Sequence, residues 1–214
     1  MTKVEAIKQL MKDNEGLASW SLIYKDIEKY YPKAKISKEW KAGIRGVLYR
    51  DLGKNFKKID DALYALIDFN EEEYLKDKDN NIIQKTEKIS EIKVRIGQRF
   101  FKKLLLKELK KCPFTNIEFE YLLIASHIKP WSKSNDIEKL DTYNGFIFTP
   151  TYDKLFDNGF ITFKNNKTLV ISNLLDNKTK SKLHIKNNMY IPSLPIKGRE
   201  TYLEYHRDVI FKSE

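Results

Sequence analysis

Apolar residues recur at helical spacing along the first third of the chain. Val4, Ile7, Leu10 and Met11 mark one helix, and Asn14-Glu15-Gly16 stops it. Trp20, Ile23, Tyr24, Ile27 and Tyr30 mark a second. Tyr31-Pro32 ends that run, because the residue before a proline is pushed out of the helical region. A third helix is predicted from Ser37 to about Asp51, with Ser37 as N-cap and Trp40, Ile44, Val47 and Leu48 as its apolar stripe. Gly43 and Gly46 lie inside it and weaken its intrinsic helicity. Gly53 then breaks the chain, and Phe56 to Ile59 and Ala62 to Ile67 read as two short apolar strands around Asp60-Asp61.

Three helices followed by a hairpin are the outline of a winged helix, so residues 1–68 are assigned to a winged-helix-like, DNA-binding domain. The third helix carries a second pattern. Lys38, Lys41 and Arg45 fall at i, i+3 and i+7, away from the apolar stripe. A recognition helix needs that separation, with one face in the core and one toward the groove and phosphates. An ordinary solvated helix face produces the same stripe. The charge of the whole chain weighs on the choice: 40 Lys and Arg against 30 Asp and Glu leave +10. A basic surplus favours polyanions.

Residues 69–88 are charge-rich with few apolar positions and read as a linker. From Ile89 the helical pattern resumes through Ile92, Ile96, Phe100 and Leu104, ending near Lys111. Tyr121 to Ser126 form a short buried-strand pattern that delivers His127 at its end. After a polar loop, Asn144-Gly145 leads into a second strand, Phe146 to Phe148. Thr149-Pro150 opens a short helix, with Thr as N-cap and Pro at the first helical position, and Asn158-Gly159 closes it. Phe160 to Phe163 and Thr168 to Ile171 complete a hairpin.

Asp153 and Asp157 lie four apart on that short helix, which places both carboxylates on one face. Two like charges there are costly unless a cation or a dipole compensates. The helix dipole favours an anion at Asp153 and disfavours one at Asp157. A divalent metal would resolve the conflict, and hard oxygen donors suit Mg²⁺. Two solvated surface acids are the plainer reading of the pair. His127 titrates in the range that suits proton abstraction near neutral pH, though a lone strand-end His is more often structural.

Taken together, Ser126-His127-Ile128-Lys129-Pro130-Trp131, Asn144-Gly145 and Tyr152-Asp153-Lys154-Leu155-Phe156-Asp157-Asn158-Gly159 closely resemble the HNH endonuclease family, whose site is a ββα-metal finger. The resemblance is to the branch without zinc-binding cysteine pairs, common among restriction-type enzymes. It extends outward to Arg95-Ile96-Gly97-Gln98 with Phe101 and Leu105, to Cys112-Pro113-Phe114-Thr115, and to Tyr202 through Arg207, covering roughly residues 92 to 212. It implies a ββα-metal nuclease domain over residues 89–214, which together with the winged-helix-like domain read from the N-terminal pattern makes an α+β chain. It implies that His127 is the general base and that Asn144 braces the loop holding it. Asp153 matches the metal ligand on the helix, and Asp157 sits where some members place another. Many members carry Asp or His before the base, as a ligand; this chain has Ser126. The metal is then expected to be held by Asp153, with Asp157, water and the substrate phosphate, as a loosely bound Mg²⁺ that Mn²⁺ can replace. Lys129, two residues past His127, reads equally well as a phosphate contact and as a solvated lysine.

These readings converge on an endonuclease acting on double-stranded DNA, of site-specific or modification-dependent restriction type. A palindromic site would require two active sites, hence a homodimer or transient pairing. The alternatives are an RNA-directed or toxin nuclease and a DNA-binding protein with an inactive HNH fold. The single cysteine, Cys112, leaves no internal disulfide framework and no structural zinc, and is expected to be a buried small hydrophobe. His184 and His206 are read as structural. No apolar run approaches the ~20 residues of a membrane span, and Met1 to Glu5 do not lead into a signal peptide. A cytoplasmic protein is expected.

Overall fold

The computed structural model describes residues 1–76 and 89–213. They fall into two compact units, one of residues 1–100 with 136–140 and one of residues 101–135 with 141 onward.

The first unit starts with α1 (Lys3–Lys12), closed by a capping box. Thr2 Oγ1 accepts the Glu5 N–H (3.2 Å) and the Glu5 carboxylate accepts the Thr2 N–H (2.6 Å), which satisfies two donors the helix leaves open. The helix buries Ala6, Ile7, Leu10 and Met11, and the chain turns at Gly16 with φ +84°. β1 (Leu17–Ser19) follows, then α2 (Trp20–Tyr30), α3 (Trp40–Arg50), β2 (Phe56–Asp60) and β3 (Leu63–Leu66). β1 was not visible as an element, because three buried residues show no period of two. The strands form one antiparallel sheet in the order β1-β3-β2, with Leu17 opposite Ala65 and Phe56 opposite Leu66. Ile23, Ile27, Ile44, Leu48 and Phe56 complete the core against α1. A short segment, α6 (Asp136–Lys139), is counted with this unit, and Ser21 Oγ donates to the Leu140 carbonyl at 2.8 Å.

Two expectations for this unit need correction. α3 begins at Trp40, not Ser37, and its N-cap is Glu39 with no side-chain cap bond. Ser37 Oγ instead accepts the Glu39 N–H at 3.2 Å, the local turn by which serine competes with helix. Lys38 therefore lies on the turn before the helix. Of the stretch 69–88 read as a linker, Glu71–Lys76 form a short helix, α4, with Tyr74 and Leu75 buried. Asn70 Oδ1 accepts the Glu73 N–H (3.1 Å) and Phe69 packs on Tyr74 at 5.3 Å, so two aromatic rings order the segment despite its charge. Residues 77–88 lie outside the described residues.

In the second unit, α5 (Ile89–Leu109), which starts in the first, ends where Lys110 takes φ 59°. β4 (Ile124–His127) pairs antiparallel with β5 (Gly145–Phe148), and α7 (Pro150–Asp157) follows directly. β6 (Ile161–Phe163) and β7 (Leu169–Ile171) make the hairpin; α8 (Asn177–Lys182) and α9 (Glu200–Tyr205) complete the unit, α9 running into a π-helical turn over His206–Ile210. Phe146, Phe148, Phe156 and Phe163 form the core, with Phe146–Phe148 centroids at 5.4 Å and Phe156–Phe163 at 5.6 Å. β4 is shorter than the Tyr121-to-Ser126 pattern predicts. Glu120–Leu122 are a 3-10 turn, closed by the Leu122 N–H on the Phe119 carbonyl (2.9 Å), and Tyr121 and Leu122 are exposed. α7 closes at Gly159 with φ +73°, where a Cβ would collide with the Ile210 carbonyl oxygen. Among the described residues, no helix is long and apolar enough to cross a membrane.

Candidate active site

β4 carries His127 as its last residue, opposite Gly145 of β5. The imidazole lies flat on the Phe101 ring, with centroids 3.9 Å apart and planes 16° from parallel. Trp131 meets it edge-on at 5.3 Å. The ring is half-buried, held by an aromatic floor and an aromatic edge. Its orientation thus comes from packing as well as from the strand.

The loop after His127 is tied down by Asn144, which is fully buried. The Lys129 N–H donates to Asn144 Oδ1 at 2.8 Å, and Asn144 Nδ2 donates to the Lys129 carbonyl at 3.2 Å. Nδ2 also donates to Ser134 Oγ at 3.1 Å, and Ser134 Oγ in turn lies 3.0 Å from the Lys129 carbonyl and 3.1 Å from that of Pro130. The Ile128 N–H reaches the Asn144 carbonyl at 3.0 Å. One side chain therefore satisfies both backbone groups of a residue two past His127. An amide is the side chain that can do this, since it offers an acceptor and a two-proton donor side by side.

α7 presents Asp153 and Asp157 one turn apart. Asp153 is half-buried and Asp157 is exposed. Burial raises the Asp153 pKa above the usual carboxylate value; a hydrogen bond from Ser126 opposes this, and the Asp157 charge adds to it. Ser126, on the strand just before His127, is itself buried. The hydroxyl at that position thus solvates the Asp153 carboxylate. The helix starts at Thr149-Pro150, but Thr149 makes no side-chain cap bond; its hydroxyl lies 3.8 Å from the buried Cys112 sulfur. Among the described residues, no group of three or more His, Cys, Asp and Glu forms a ready metal cage.

The cationic candidates divide. Lys129 holds its ammonium over the Tyr205 ring at 5.4 Å, and its backbone is what Asn144 grips. In the first unit, Arg45 Nη1 donates to the Tyr24 hydroxyl at 2.9 Å, and Lys41 Nζ lies 5.1 Å from the Tyr24 ring centroid and 5.7 Å from that of Trp40. Lys38 is exposed on its turn.

Two residues near the site, Ser134 and Arg199, had no sequence signal of their own. Ser134 lies in a polar loop with nothing to mark it. Arg199 is 3% exposed, and donates from Nε to the Gly145 carbonyl (2.9 Å) and from Nη2 to the Thr142 carbonyl (3.1 Å). Tyr202 hydroxyl donates to Asp141 Oδ2 at 2.9 Å. His206, read as structural, stacks on Phe156 of α7 at 3.9 Å and is 1% exposed. The Phe156 carbonyl, 3.1 Å away, can only accept, so Nε2 carries the proton and Nδ1 accepts from Thr162 Oγ1 at 2.9 Å. Burial pushes its pKa down to about 4.

Residues 112–164 match the family model for HNH endonucleases, a span that runs from Cys112 through β4, β5, α7 and β6. No curated protein matches the chain. The second unit therefore contains an HNH endonuclease domain, the module of a nuclease, and its match takes in His127, Asn144, Asp153 and Asp157.

Proposed function

We propose that this chain is a site-specific endonuclease that hydrolyses phosphodiester bonds in double-stranded DNA, of restriction type, with His127 as general base, one divalent metal ion at α7 and a winged-helix-like reader in the first unit. The observation that carries the reading is the double grip of Asn144 on the Lys129 backbone, which sets His127 at a strand end whose neighbouring residue reaches Asp153.

The residues of α7 fit a divalent cation held jointly with the substrate. Asp153 is a desolvated carboxylate beside a second carboxylate, which a cation would neutralise. Mg²⁺ is commonly bound by one or two carboxylates with water and phosphate oxygens completing its shell. Asp153 would hold it, with Asp157 one turn on. When bound, the ion stabilises negative charge that develops on the phosphate and the departing oxygen.

The chain's own contribution is the proton and its position. Neutral His127 takes the proton of a water molecule as that water attacks phosphorus in line. Phe101 and Trp131 keep the imidazole plane fixed during the transfer. Asn144 keeps the backbone beyond it from drifting, since a misplacement of about 1 Å costs roughly a hundredfold in rate. The P–O3′ bond breaks as the new P–O bond forms, and the departing 3′ oxygen takes a proton from solvent water, giving 5′-phosphate and 3′-hydroxyl ends.

The first unit supports the reader through its order α1-β1-α2-α3-β2-β3 and its antiparallel sheet. Lys41 and Arg45 gather at Tyr24, which pre-orients two cations on one face of α3. Cutting both strands of a palindrome calls for two His127 sites, from a homodimer or a transient pair.

The test is digestion of unmodified and methylated plasmid and phage DNA with Mg²⁺, Mn²⁺ or EDTA, beside His127→Ala. Discrete, metal-dependent fragments that the variant does not produce are expected, with DNA binding retained. Equal cleavage by His127→Ala overturns its role as base, and cleavage of RNA in place of DNA overturns the substrate.

A further inference from the structure

We infer that Arg199, outside the span that matches the nuclease family, is a positioning residue of the reaction: its guanidinium clamps the two backbone carbonyls that flank Asn144 and so holds the brace of the His127 loop. The inference rests on the nuclease reading above.

Nε reaches the Gly145 carbonyl at 2.9 Å and Nη2 the Thr142 carbonyl at 3.1 Å. These two nitrogens form one edge of the planar fork, so a single rigid group fixes residues on both sides of Asn144. Gly145 is also the strand partner of His127. From there the chain of contacts is short: Arg199 to the Thr142 and Gly145 carbonyls, the Asn144 amide between them, and Lys129 two residues past His127.

The environment makes this an unusual use of an arginine. The residue is only 3% exposed. The rings of Tyr143 and Phe146 lie 5.5 and 5.7 Å from the guanidinium carbon. Among the described residues no carboxylate forms an ion pair with it; Glu108, Asp141 and Glu200 act on it only through space. A buried charge held by carbonyl dipoles and aromatic faces is costly. A stabilising core contact could be made by an apolar side chain. What an apolar residue cannot do is fix two carbonyl oxygens at once. The residue before it adds to the clamp: Gly198 has φ +86°, and a Cβ there would strike the Tyr143 ring at 2.6 Å. Tyr143 and Arg199 thus pack at a spacing only glycine permits.

The test uses the full chain with Arg199→Lys and Arg199→Met. Lysine keeps the positive charge and a long stem but loses the fork. In a cleavage assay on a duplex oligonucleotide, Arg199→Lys is expected to lower kcat about 10- to 100-fold while KM stays within about twofold, the pattern of a displaced reacting group. Combined with Asn144→Ala it should do no more harm than Asn144→Ala alone, because both act through one element. Amide exchange followed by NMR supplies a second readout that does not depend on activity. The Ile128 and Lys129 amides should exchange about tenfold faster in Arg199→Lys, with the β6–β7 amides unchanged. An unchanged kcat together with unchanged exchange overturns the inference. Faster exchange throughout the unit also overturns it, and assigns Arg199 to general stability. If the parent protein cleaves no nucleic acid, the nuclease reading fails, and the exchange data still decide whether Arg199 holds this loop. Should Arg199→Met not fold, Arg199→Lys carries both measurements.

Discussion

Replacing Asn144 with alanine tests the link between the loop and the chemistry most directly. The substitution deletes an acceptor 2.8 Å from the Lys129 N–H and a donor that reaches the Lys129 carbonyl and Ser134 Oγ. The losses are unequal. The Lys129 carbonyl keeps Ser134 Oγ at 3.0 Å, so it is not orphaned. The Lys129 N–H loses its amide acceptor in a part-buried site, which costs about 1–3 kcal/mol. Adding about 1 kcal/mol for the remaining bonds gives a destabilisation of about 2–4 kcal/mol. The catalytic effect should exceed what stability alone explains. With folded protein in excess, kcat is expected to fall about a hundredfold, because the loop that orients His127 is released. Urea unfolding by circular dichroism gives the first number and single-turnover cleavage of a duplex oligonucleotide the second. Asn144→Asp separates the two halves of the amide: it keeps the acceptor for the Lys129 N–H but sets a carboxylate oxygen against the Lys129 carbonyl. It should therefore lose activity nearly as fully as the alanine. A stability change under 0.5 kcal/mol (about the scatter of neutral surface substitutions) together with unchanged kcat would refute the bracing argument.

The other predictions concern the metal, the reader and pH. Asp153→Ala should raise the Mg²⁺ concentration needed for half-maximal cleavage steeply or abolish cleavage, and an unchanged metal titration would exclude it as a ligand. Lys41→Glu with Arg45→Glu should weaken duplex binding and flatten the dependence of log Kd on log salt by roughly one per lost phosphate contact; intact binding and site selection would show that α3 is not the reader. His206 predicts the acid response. Its folded pKa is near 4 against an ordinary 6.5, so between these values the unfolded chain binds the extra proton. Its contribution to stability is fully present above pH 6.5 and is lost as pH falls toward 4, by about 3 kcal/mol in all. Chemical unfolding of the wild type and His206→Gln across that window should show the slope reduced in the variant, and parallel profiles would remove His206 as its cause.

Much of this molecule was legible in its residues. The periodicities of Val4 to Met11 and Trp20 to Tyr30 set α1 and α2 nearly to the residue, because local spacing, capping and the proline stop all agree. Thr149-Pro150 and Asn158-Gly159 marked both ends of α7 for the same reason: cap and stop are properties of a few adjacent positions. Spacing placed Asp153 and Asp157 on one helix face, but it was the resemblance to HNH endonucleases that singled out His127, Asn144, Asp153 and Asp157 together. Where local signals conflicted, the sequence misled. Ser37 looked like a cap but prefers its own turn. Tyr121 and Leu122 looked like strand but lie exposed in a 3-10 turn.

Only the tertiary structure decided how these pieces act on one another. Arg199 reaches carbonyls 54 and 57 residues away, and His206 reaches Phe156 50 residues away. Phe101 lies under an imidazole from a different element. No periodicity records such contacts, because hydrogen bonds to backbone carbonyls carry no side-chain signature at the accepting end. The sequence determined which groups could do chemistry and which local elements carry them. Their placement, burial and shared partners came from packing between distant segments, and the altered proton affinities of Asp153 and His206 exist only once water has been excluded by that packing.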